Sequence, residues 1–368
     1  MLVSKKIIII LLSLALLPIN TVYSGCPPIE NNQCTILTEE NYDKVIKDCT
    51  GNYKQSLKHI DYTNILPYVN FERIEYAKVQ NTNLILDLLT PKNANPSKKY
   101  PLICFLHGGA WHKRNVNPGI LAKLVDEGYV VAVIYYRLSC QTDWPGPIED
   151  CKVAIKYLKV HSERYPINPN KIGVWGTSAG GYLASLIGTS DENEWIGSEH
   201  EITDYYEEDW TLEKVQAVTS HYGPTDLRNL PGHDQFSPEC VLFGLDVDES
   251  LSEKLPQGTR VSPVNCASSD DPPFLIAHGT KDTVIYCGQS LSLHNALEDQ
   301  NVPAFIRFIE NAEHGFEGVT DARSKQYNDW SFNQMLKFYR LTLKMNISVD
   351  TMNRPFVKFL INRWLNAH

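Results

Sequence analysis

The chain has 368 residues, 43% of them hydrophobic, and a formal net charge of −9 at pH 7. This length is enough to bury a large core, as one large α/β domain or two smaller ones, and one domain is favoured. The acidic balance argues against nucleic acid as a partner, because its phosphates would be repelled.

The first 24 residues are typical of a secretory signal peptide. Two lysines precede an apolar run over 7–17, and small or apolar residues precede a cut before Gly25. A helix of that length is too short to cross a bilayer of about 30 Å, so no stable membrane span is expected. The sequence therefore predicts a secreted or periplasmic protein. A lipid anchor at Cys26 is the alternative, because residues 24–26 resemble the end of a bacterial lipobox.

Export would allow the cysteines to form disulfides. There are nine of them: Cys26, Cys34, Cys49, Cys104, Cys140, Cys151, Cys240, Cys266 and Cys287. Cys104 lies within an apolar run and is predicted to be a buried free thiol, whereas the other eight could form four bridges. Cys140 and Cys151 enclose a short segment with two prolines and a glycine, which favours a bridge between them; a reduced, buried Cys151 is the alternative. No pair has zinc-ligand spacing, so no structural metal is expected.

The distribution of apolar residues predicts one α/β domain after a short extension. Residues 25–70 are polar and carry three cysteines, with a weak helical pattern around Tyr42, and the main domain is placed at 71–368. Strands are predicted over 71–79 and 83–89, joined by a turn at 80–82. Six further strand-like runs alternate with helical patterns: 101–106, 129–135, 171–176, 215–221, 273–278 and 303–309. This alternation predicts an eight-stranded, mostly parallel sheet with helices on both faces, and a site at the carboxyl ends of its strands.

The strand at 171–176 runs into a turn of the form G-x-S-x-G, from Gly176 to Gly180, and then into a helix. Glycines at the two ends of the turn allow a sharp elbow from which a serine hydroxyl projects. Ser178 is the predicted nucleophile, and the N–H of Ala179 is predicted to face the developing negative charge. On the motif alone, a turn of small residues without chemical meaning is an equal alternative.

A second glycine-containing loop, HGGAW at 107–111, follows the strand at 101–106. Two glycines directly after a buried strand allow backbone N–H groups to turn inward. Gly109 and Ala110 are therefore predicted to complete an oxyanion hole with Ala179. An ordinary glycine turn is the alternative.

Two ionisable residues follow the last predicted strands. Asp282 comes just after the strand at 273–278, and His314 follows the strand at 303–309. Alone, each would more often be a solvated loop residue. The chain order Ser178, Asp282, His314, each at a strand's carboxyl end, is however the order of one hydrolase architecture. His278 and His294 fit the role of base less well, since one lies at a tight strand end and the other within a helical stretch.

Two insertions interrupt the alternation of strands and helices. Residues 191–213 are acidic and are interpreted as a solvated loop. Residues 223–265 contain five prolines and lie between two strands beside the predicted site. This second insertion is predicted to be a lid or pocket wall.

These motifs together resemble the α/β-hydrolase superfamily, in particular the carboxylesterases related to hormone-sensitive lipase and the feruloyl and acetyl-xylan esterase-like group. The landmarks are HGGAW at 107–111, YYRLS at 135–139, GVWGTSAGG at 173–181, YGPTDL at 222–227, DDPPFLIAHGTKD at 270–282 and AEHGF at 312–316. The resemblance runs from about residue 71 to 345, and it implies a catalytic domain in which Ser178 is the nucleophile, Asp282 the acid and His314 the base. One departure is Ala110, where many relatives have a third glycine.

Together with the predicted signal peptide, the resemblance implies a secreted serine esterase that needs no cofactor. Its expected partner is a small-molecule ester, with a polysaccharide-linked ester left open. Ala110 and the lack of a long apolar helix pattern in 223–265 favour short-chain or aryl esters. The alternatives are an amide hydrolase of the arylformamidase or peptidase type, and a catalytically silent adhesion protein with a hydrolase fold.

Overall fold

The computed structural model of the protein describes residues 25–27, 37–51, 60–95, 97–191, 194–195, 200–202, 214–247, 249–345 and 347–366. The predicted signal peptide lies outside these residues, as does most of the acidic insertion. The strands of the described residues are β1 (Val69–Val79), β2 (Thr82–Pro91), β3 (Tyr100–Leu106), β4 (Val130–Tyr135), β5 (Ile167–Thr177), β6 (His200–Ile202), β7 (Ala217–His221), β8 (Phe274–Gly279) and β9 (Ala304–Ile309).

These strands form one sheet in the order β6-β1-β2-β4-β3-β5-β7-β8-β9. β1, β2 and β4 pair antiparallel, and every pair from β4 through β3 to β9 is parallel. The predicted eight-stranded, mostly parallel sheet is therefore confirmed. A ninth strand, the three-residue β6, extends it by pairing with the end of β1.

Helices cover both faces of the sheet. The described helices are α1 (Glu39–Gly51), α2 (Pro118–Asp126), α3 (Gly146–Val160), α4 (Ala179–Thr189), α5 (Pro238–Leu242), α6 (Leu251–Lys254), α7 (Gly288–Asp299), α8 (Asp321–Tyr339), α9 (Val349–Met352) and α10 (Pro355–Asn366). Successive side chains of a strand point to opposite faces. Leu102 and Cys104 accordingly join a core with α3, α4 and α7, whereas Ile103 and Phe105 join a core with α2, α8 and α10. Burial on both faces explains why the central strands read as continuous apolar runs.

The extension and the 223–265 insertion pack against the main domain and against each other. Within the insertion the described helices are short, namely the five-residue α5 and the four-residue α6. The Tyr42 hydroxyl on α1 donates to the carbonyl of Leu245 at 2.8 Å. A disulfide joins Cys26 to Cys287, just before α7.

The cysteine pattern corrects two predictions. Cys151 is a buried free thiol, while Cys140 is disulfide-bonded, so the predicted bridge between these two is wrong. Cys151 lies on the face of α3 that packs against the sheet, where burial raises the pKa of its thiol well above the usual value. Cys104 is free and buried, as predicted, but Cys240 and Cys266 are free as well, so eight cysteines do not form four bridges.

The disulfide also bears on the lipid-anchor alternative. The thiol of Cys26, which a lipid would modify, is bonded to Cys287. Among the described residues, no helix is both long and apolar enough to cross a membrane.

Candidate active site

Three side chains from different strand ends form one hydrogen-bonded chain. The Ser178 hydroxyl donates to His314 Nε2 at 3.0 Å, and His314 Nδ1–H donates to the Asp282 carboxylate at 2.8 Å. Ser178 lies between β5 and α4, Asp282 follows β8, and His314 follows β9. Because these strands are parallel, their carboxyl ends meet at one edge of the sheet. The structure thus brings the predicted nucleophile, acid and base together.

Ser178 lies on a sharp backbone turn that requires glycine at two nearby positions. Its φ is 53° and its ψ is −121°, in the left-handed half of the map, which side-chain-bearing residues rarely occupy. A Cβ at Gly176 would lie 1.9 Å from the carbonyl oxygen of Gly180, and a Cβ at Gly180 would lie 2.0 Å from that of Leu106. The Ser178 N–H donates to the carbonyl of His221 at 2.9 Å, which fixes the turn against the end of β7. A side chain at either position would clash with backbone atoms, so both glycines are required.

The HGGAW loop also has positive φ angles, at Gly109 (118°), Ala110 (51°) and Trp111 (57°). Two hydrogen bonds hold its ends: the Tyr136 hydroxyl donates to the carbonyl of His107 at 2.7 Å, and a backbone N–H after β4 donates to the carbonyl of Trp111 at 2.8 Å. Ala110 has a backbone conformation that favours glycine.

The three predicted oxyanion donors are N–H groups of this loop and of the first residue of α4. In the part of the chain that the structure describes, the N–H groups of Gly109, Ala110 and Ala179 donate no backbone hydrogen bond. Ala179 opens a helix of 11 residues, where orphan N–H groups and the helix dipole favour negative charge. These groups are available for a developing oxyanion.

Asp282 is buried and saturated with hydrogen bonds. Its Oδ1 accepts from the N–H groups of Val284 at 2.9 Å and Ile285 at 2.8 Å. Its Oδ2 accepts from His314 and, at 3.1 Å, from His278 Nε2. Burial raises the pKa of Asp282, but the hydrogen bonds from His278 and His314 outweigh it and hold this pKa well below its usual range. The carboxylate stays ionised and can orient an imidazole.

His278 is a functional residue whose role the sequence reasoning missed. Besides Asp282, its Nε2–H faces the carbonyl of Ile285 at 2.8 Å, and its Nδ1 accepts from the Ser290 hydroxyl at 2.7 Å. The side chain is fully buried. The signal in the sequence is the spacing of four residues between His278 and Asp282 at a strand end. From the sequence, His278 is considered only as an alternative to His314 as the base.

Two other buried histidines support the site in the neutral form. His221 Nδ1 accepts from Trp175 Nε1–H at 3.3 Å, and its Nε2–H faces the Ser331 hydroxyl at 3.4 Å. His107 donates from Nδ1 to the carbonyl of Gly108 at 2.9 Å. Burial lowers the pKa of each to about 3, and the charge of Arg114 contributes at His107. Neither carries a charge near neutral pH.

A cavity of about 210 Å³ lies near the hydrogen-bonded chain, and its lining does not include the three side chains of that chain. Thr177, which precedes Ser178, and Gly315, which follows His314, both line it. Tyr222 also lines it, and its ring packs edge-on against the His314 ring with 4.9 Å between centroids. The described residues contain no group of three or more His, Cys, Asp or Glu that could hold a metal ion.

Proteins of similar sequence include esterases of Mycobacterium tuberculosis. Esterase LipQ is 29% identical over 261 residues, covering 68% of this chain and 58% of the relative. Esterase LipC is 30% identical over 269 residues, covering 70% and 62%. The chain thus spans about three fifths of the length of these curated relatives.

Solved structures share the fold over most of the chain. A truncated form of a carbohydrate esterase from gut microbiota is 26% identical, with a TM-score of 0.61, covering 75% of this chain and 97% of that one. Esterase 2 of the planctomycete Thermogutta terrifontis is 21% identical, with a TM-score of 0.57, covering 73% and 91%, and supports the fold alone. The family model described as BD-FAE matches residues 86–297, more than half of the sequence. The chain therefore has an α/β-hydrolase fold and belongs to the BD-FAE family.

Proposed function

We propose that the protein is a secreted serine carboxylesterase that hydrolyses short-chain or aryl esters through an acyl-enzyme. One observation carries this proposal: the Ser178 hydroxyl, the His314 imidazole and the Asp282 carboxylate form a continuous hydrogen-bonded chain beside free backbone N–H groups. This is the arrangement that activates a serine for attack on a carbonyl. The esterases among the relatives support the same reaction class.

In the first half-reaction, His314 Nε2 takes the proton of the Ser178 hydroxyl as Oγ attacks the ester carbonyl carbon. The N–H groups of Gly109, Ala110 and Ala179 stabilise the resulting oxyanion. Asp282 keeps the imidazole oriented and stabilises its charge. His314 then returns the proton to the alcohol oxygen, the C–O bond breaks, and the alcohol leaves.

In the second half-reaction, water replaces the alcohol. His314 removes a proton from the water as its oxygen attacks the acyl carbon, and the same N–H groups hold the second oxyanion. The proton passes back to Ser178 Oγ as the acid departs, which restores the enzyme. Every step uses groups of this chain, and no cofactor enters the scheme.

Two features of the site favour small substrates. The Cβ of Ala110 takes up space beside the oxyanion donors, and the insertion at 223–265 has no described helix longer than five residues to act as a long apolar lid. We infer a preference for short acyl groups.

The alcohol part of the substrate is proposed more broadly. The carbohydrate esterase from gut microbiota, 26% identical to this chain, supports an ester of a carbohydrate, and a polysaccharide-linked ester is included in the proposal. The disulfide at Cys26 and the predicted signal peptide support secretion.

The test is an assay of the purified mature protein on p-nitrophenyl esters from acetyl to palmitoyl, with feruloyl esters, acetylated xylan and N-formylkynurenine alongside. We expect turnover to be highest on short esters and to fall by roughly 10⁴ to 10⁶ in Ser178→Ala. The exposed Ser97→Ala is the matched control and should behave as wild type. Near-normal activity in Ser178→Ala, or faster turnover of N-formylkynurenine than of any ester, would reject the proposal.

A further inference from the structure

The insertion at 223–265 contains a buried ion pair that faces the acid of the proposed triad. His233 and Glu239 are 4% and 2% exposed, and His233 Nδ1 lies 2.8 Å from Glu239 Oε2. The other ring nitrogen, Nε2, lies 2.8 Å from the carbonyl oxygen of Val284. One imidazole thus connects α5 of the insertion with the loop that carries Asp282.

Both ring nitrogens of His233 face atoms that only accept. A carboxylate and a carbonyl cannot donate, so both hydrogen bonds form only when Nδ1 and Nε2 each carry a proton. Burial lowers the pKa of His233, but the charge of Glu239 and the hydrogen bonds to Glu239 and Val284 raise it above its usual value. The pKa of Glu239 shows the matching effect: burial raises it, but the charge of His233 and the hydrogen bond to it hold it below its usual value. The pair is an imidazolium and a carboxylate.

A single residue, Val284, links His233 to Asp282. The carbonyl of Val284 accepts from His233, and the N–H of Val284 donates to Asp282 Oδ1. The peptide that holds the carboxylate is therefore itself held by the insertion. A shift of this loop would move Asp282 away from His314, which it contacts at 2.8 Å.

We propose that His233 is a positioning residue, whose imidazolium fixes the Asp282 loop to the insertion and makes turnover sensitive to its own deprotonation at alkaline pH. The inference rests on the proposed esterase function and extends it to a residue outside the triad. On losing one proton, His233 keeps the hydrogen bond to the charged Glu239, because that bond is the stronger. Its Nε2 lone pair then faces the carbonyl oxygen of Val284, so the hydrogen bond between the insertion and the Asp282 loop is lost.

The charged groups that face His233 come from two elements. Glu239 belongs to α5 and is supported by the Ser237 hydroxyl, and Asp282 belongs to the loop after β8. Both are acidic and favour the imidazolium. Removing Glu239 should therefore let His233 lose its proton at lower pH.

The test measures kcat and KM on a short ester from pH 6 to 10 for wild type, His233→Gln and Glu239→Gln. We expect kcat of His233→Gln to fall about tenfold with KM within about twofold, since misplacing a group that orients the base slows chemistry. In Glu239→Gln the alkaline loss of kcat should begin at least about one pH unit lower. His161→Gln, at a buried histidine after α3, is the control and should keep both the rate and the profile.

Three outcomes decide whether His233 has this role. Folded His233→Gln and Glu239→Gln with the rate and pH profile of wild type would overturn it. If the variants do not fold, ¹⁵N-histidine spectra of wild type at pH 8 decide, because one imidazole must show both ring nitrogens protonated, and the lack of such a signal would overturn the proposal. If wild type hydrolyses no ester, the proposed function fails separately, and the rate at which a fluorophosphonate labels Ser178 replaces kcat.

Discussion

The nucleophile turn and the Asp282 loop hold two ends of one hydrogen-bonded chain by different means. Around Ser178, glycines let backbone segments touch, and the turn is fixed within 173–181 and by its contacts with two neighbouring strands. At the Asp282 loop only the end of β8 makes such a contact, between Gly279 and the backbone of Ala312, and the segment 280–287 contains no glycine. The loop is tied to His233 in the insertion, to His278 on β8 and, through Cys287, to Cys26, a residue 261 positions away.

The difference indicates that local steric contact and long-range tethering both position groups of the site, and that they should fail in different ways. A turn held by backbone contact fails when any atom is added. When one contact of a tethered loop is removed, the remaining contacts still restrain the loop, so the effect on its position is partial. The two regions should therefore respond differently to substitution, to reduction and to pH.

The largest expected effect is the loss of the Asp282 charge itself. Asp282→Asn keeps the shape of the side chain but removes the acceptor that selects the His314 tautomer, and we expect kcat to fall roughly 10³- to 10⁴-fold. Steady-state kinetics on a short ester give the value. The exposed Asp299→Asn serves as control. A loss below tenfold would mean that the loop does not orient the base.

Gly180→Ala should break the nucleophile turn outright. The new Cβ would lie 2.0 Å from the carbonyl oxygen of Leu106, so strand and helix must separate. We expect the variant not to fold, or the free energy of unfolding to fall by more than about 4 kcal/mol. Gly258→Ala, where φ is 71° but no atom lies within 4 Å of the new Cβ, should cost only about 1 kcal/mol. Denaturant titration compares the two, and equal losses would contradict the role of steric contact.

Removing one tether should weaken the Asp282 loop without abolishing activity. Cys26→Ser opens the bridge to Cys287, which lies five residues after Asp282, and should reduce the free energy of unfolding by about 2 to 4 kcal/mol. We expect kcat to fall less than fivefold, because His233 and His278 still hold the loop. The control is Cys240→Ser, a free thiol whose sulfur already lies 3.3 Å from the Ser237 hydroxyl. Thermal melts with and without reductant test this, and a fall in kcat as large as that of Asp282→Asn would contradict it.

The sequence predicted the parts of the molecule that short segments determine. Continuous apolar runs located the central strands to within a few residues, because both faces of the sheet are covered. Glycine-containing turns at 107–111 and 176–180 pointed to Ser178 and to the loop beside it, since their geometry depends on residues that are neighbours in the chain. The roles assigned to these residues stay predictions.

The features that the sequence did not predict depend on distances between remote segments. The three-residue β6 is too short to show a period of two. The pairing of Cys26 with Cys287 depends on where the extension crosses the domain, and a turn between Cys140 and Cys151 does not decide which face of α3 Cys151 occupies. His233 was missed for the same reason, because its partner in the Asp282 loop is 51 residues away.

The smallest expected effect is a pH response that separates the two regions. The nucleophile side contains His107 and His221, whose pKa values burial lowers to about 3, so both must stay neutral. In the unfolded chain each binds a proton near pH 6.5, so their contribution to stability is complete above that pH and is lost as pH falls toward 3. At pH 5 the loss should be roughly 2 kcal/mol per histidine relative to pH 8. Denaturant titrations of wild type and His221→Gln at both pH values should show a smaller loss in the variant, although His221→Gln starts from lower stability. An identical loss in both proteins would show that His221 does not sense acid, whereas the Asp282 loop, which depends on the imidazolium of His233, should fail first at alkaline pH.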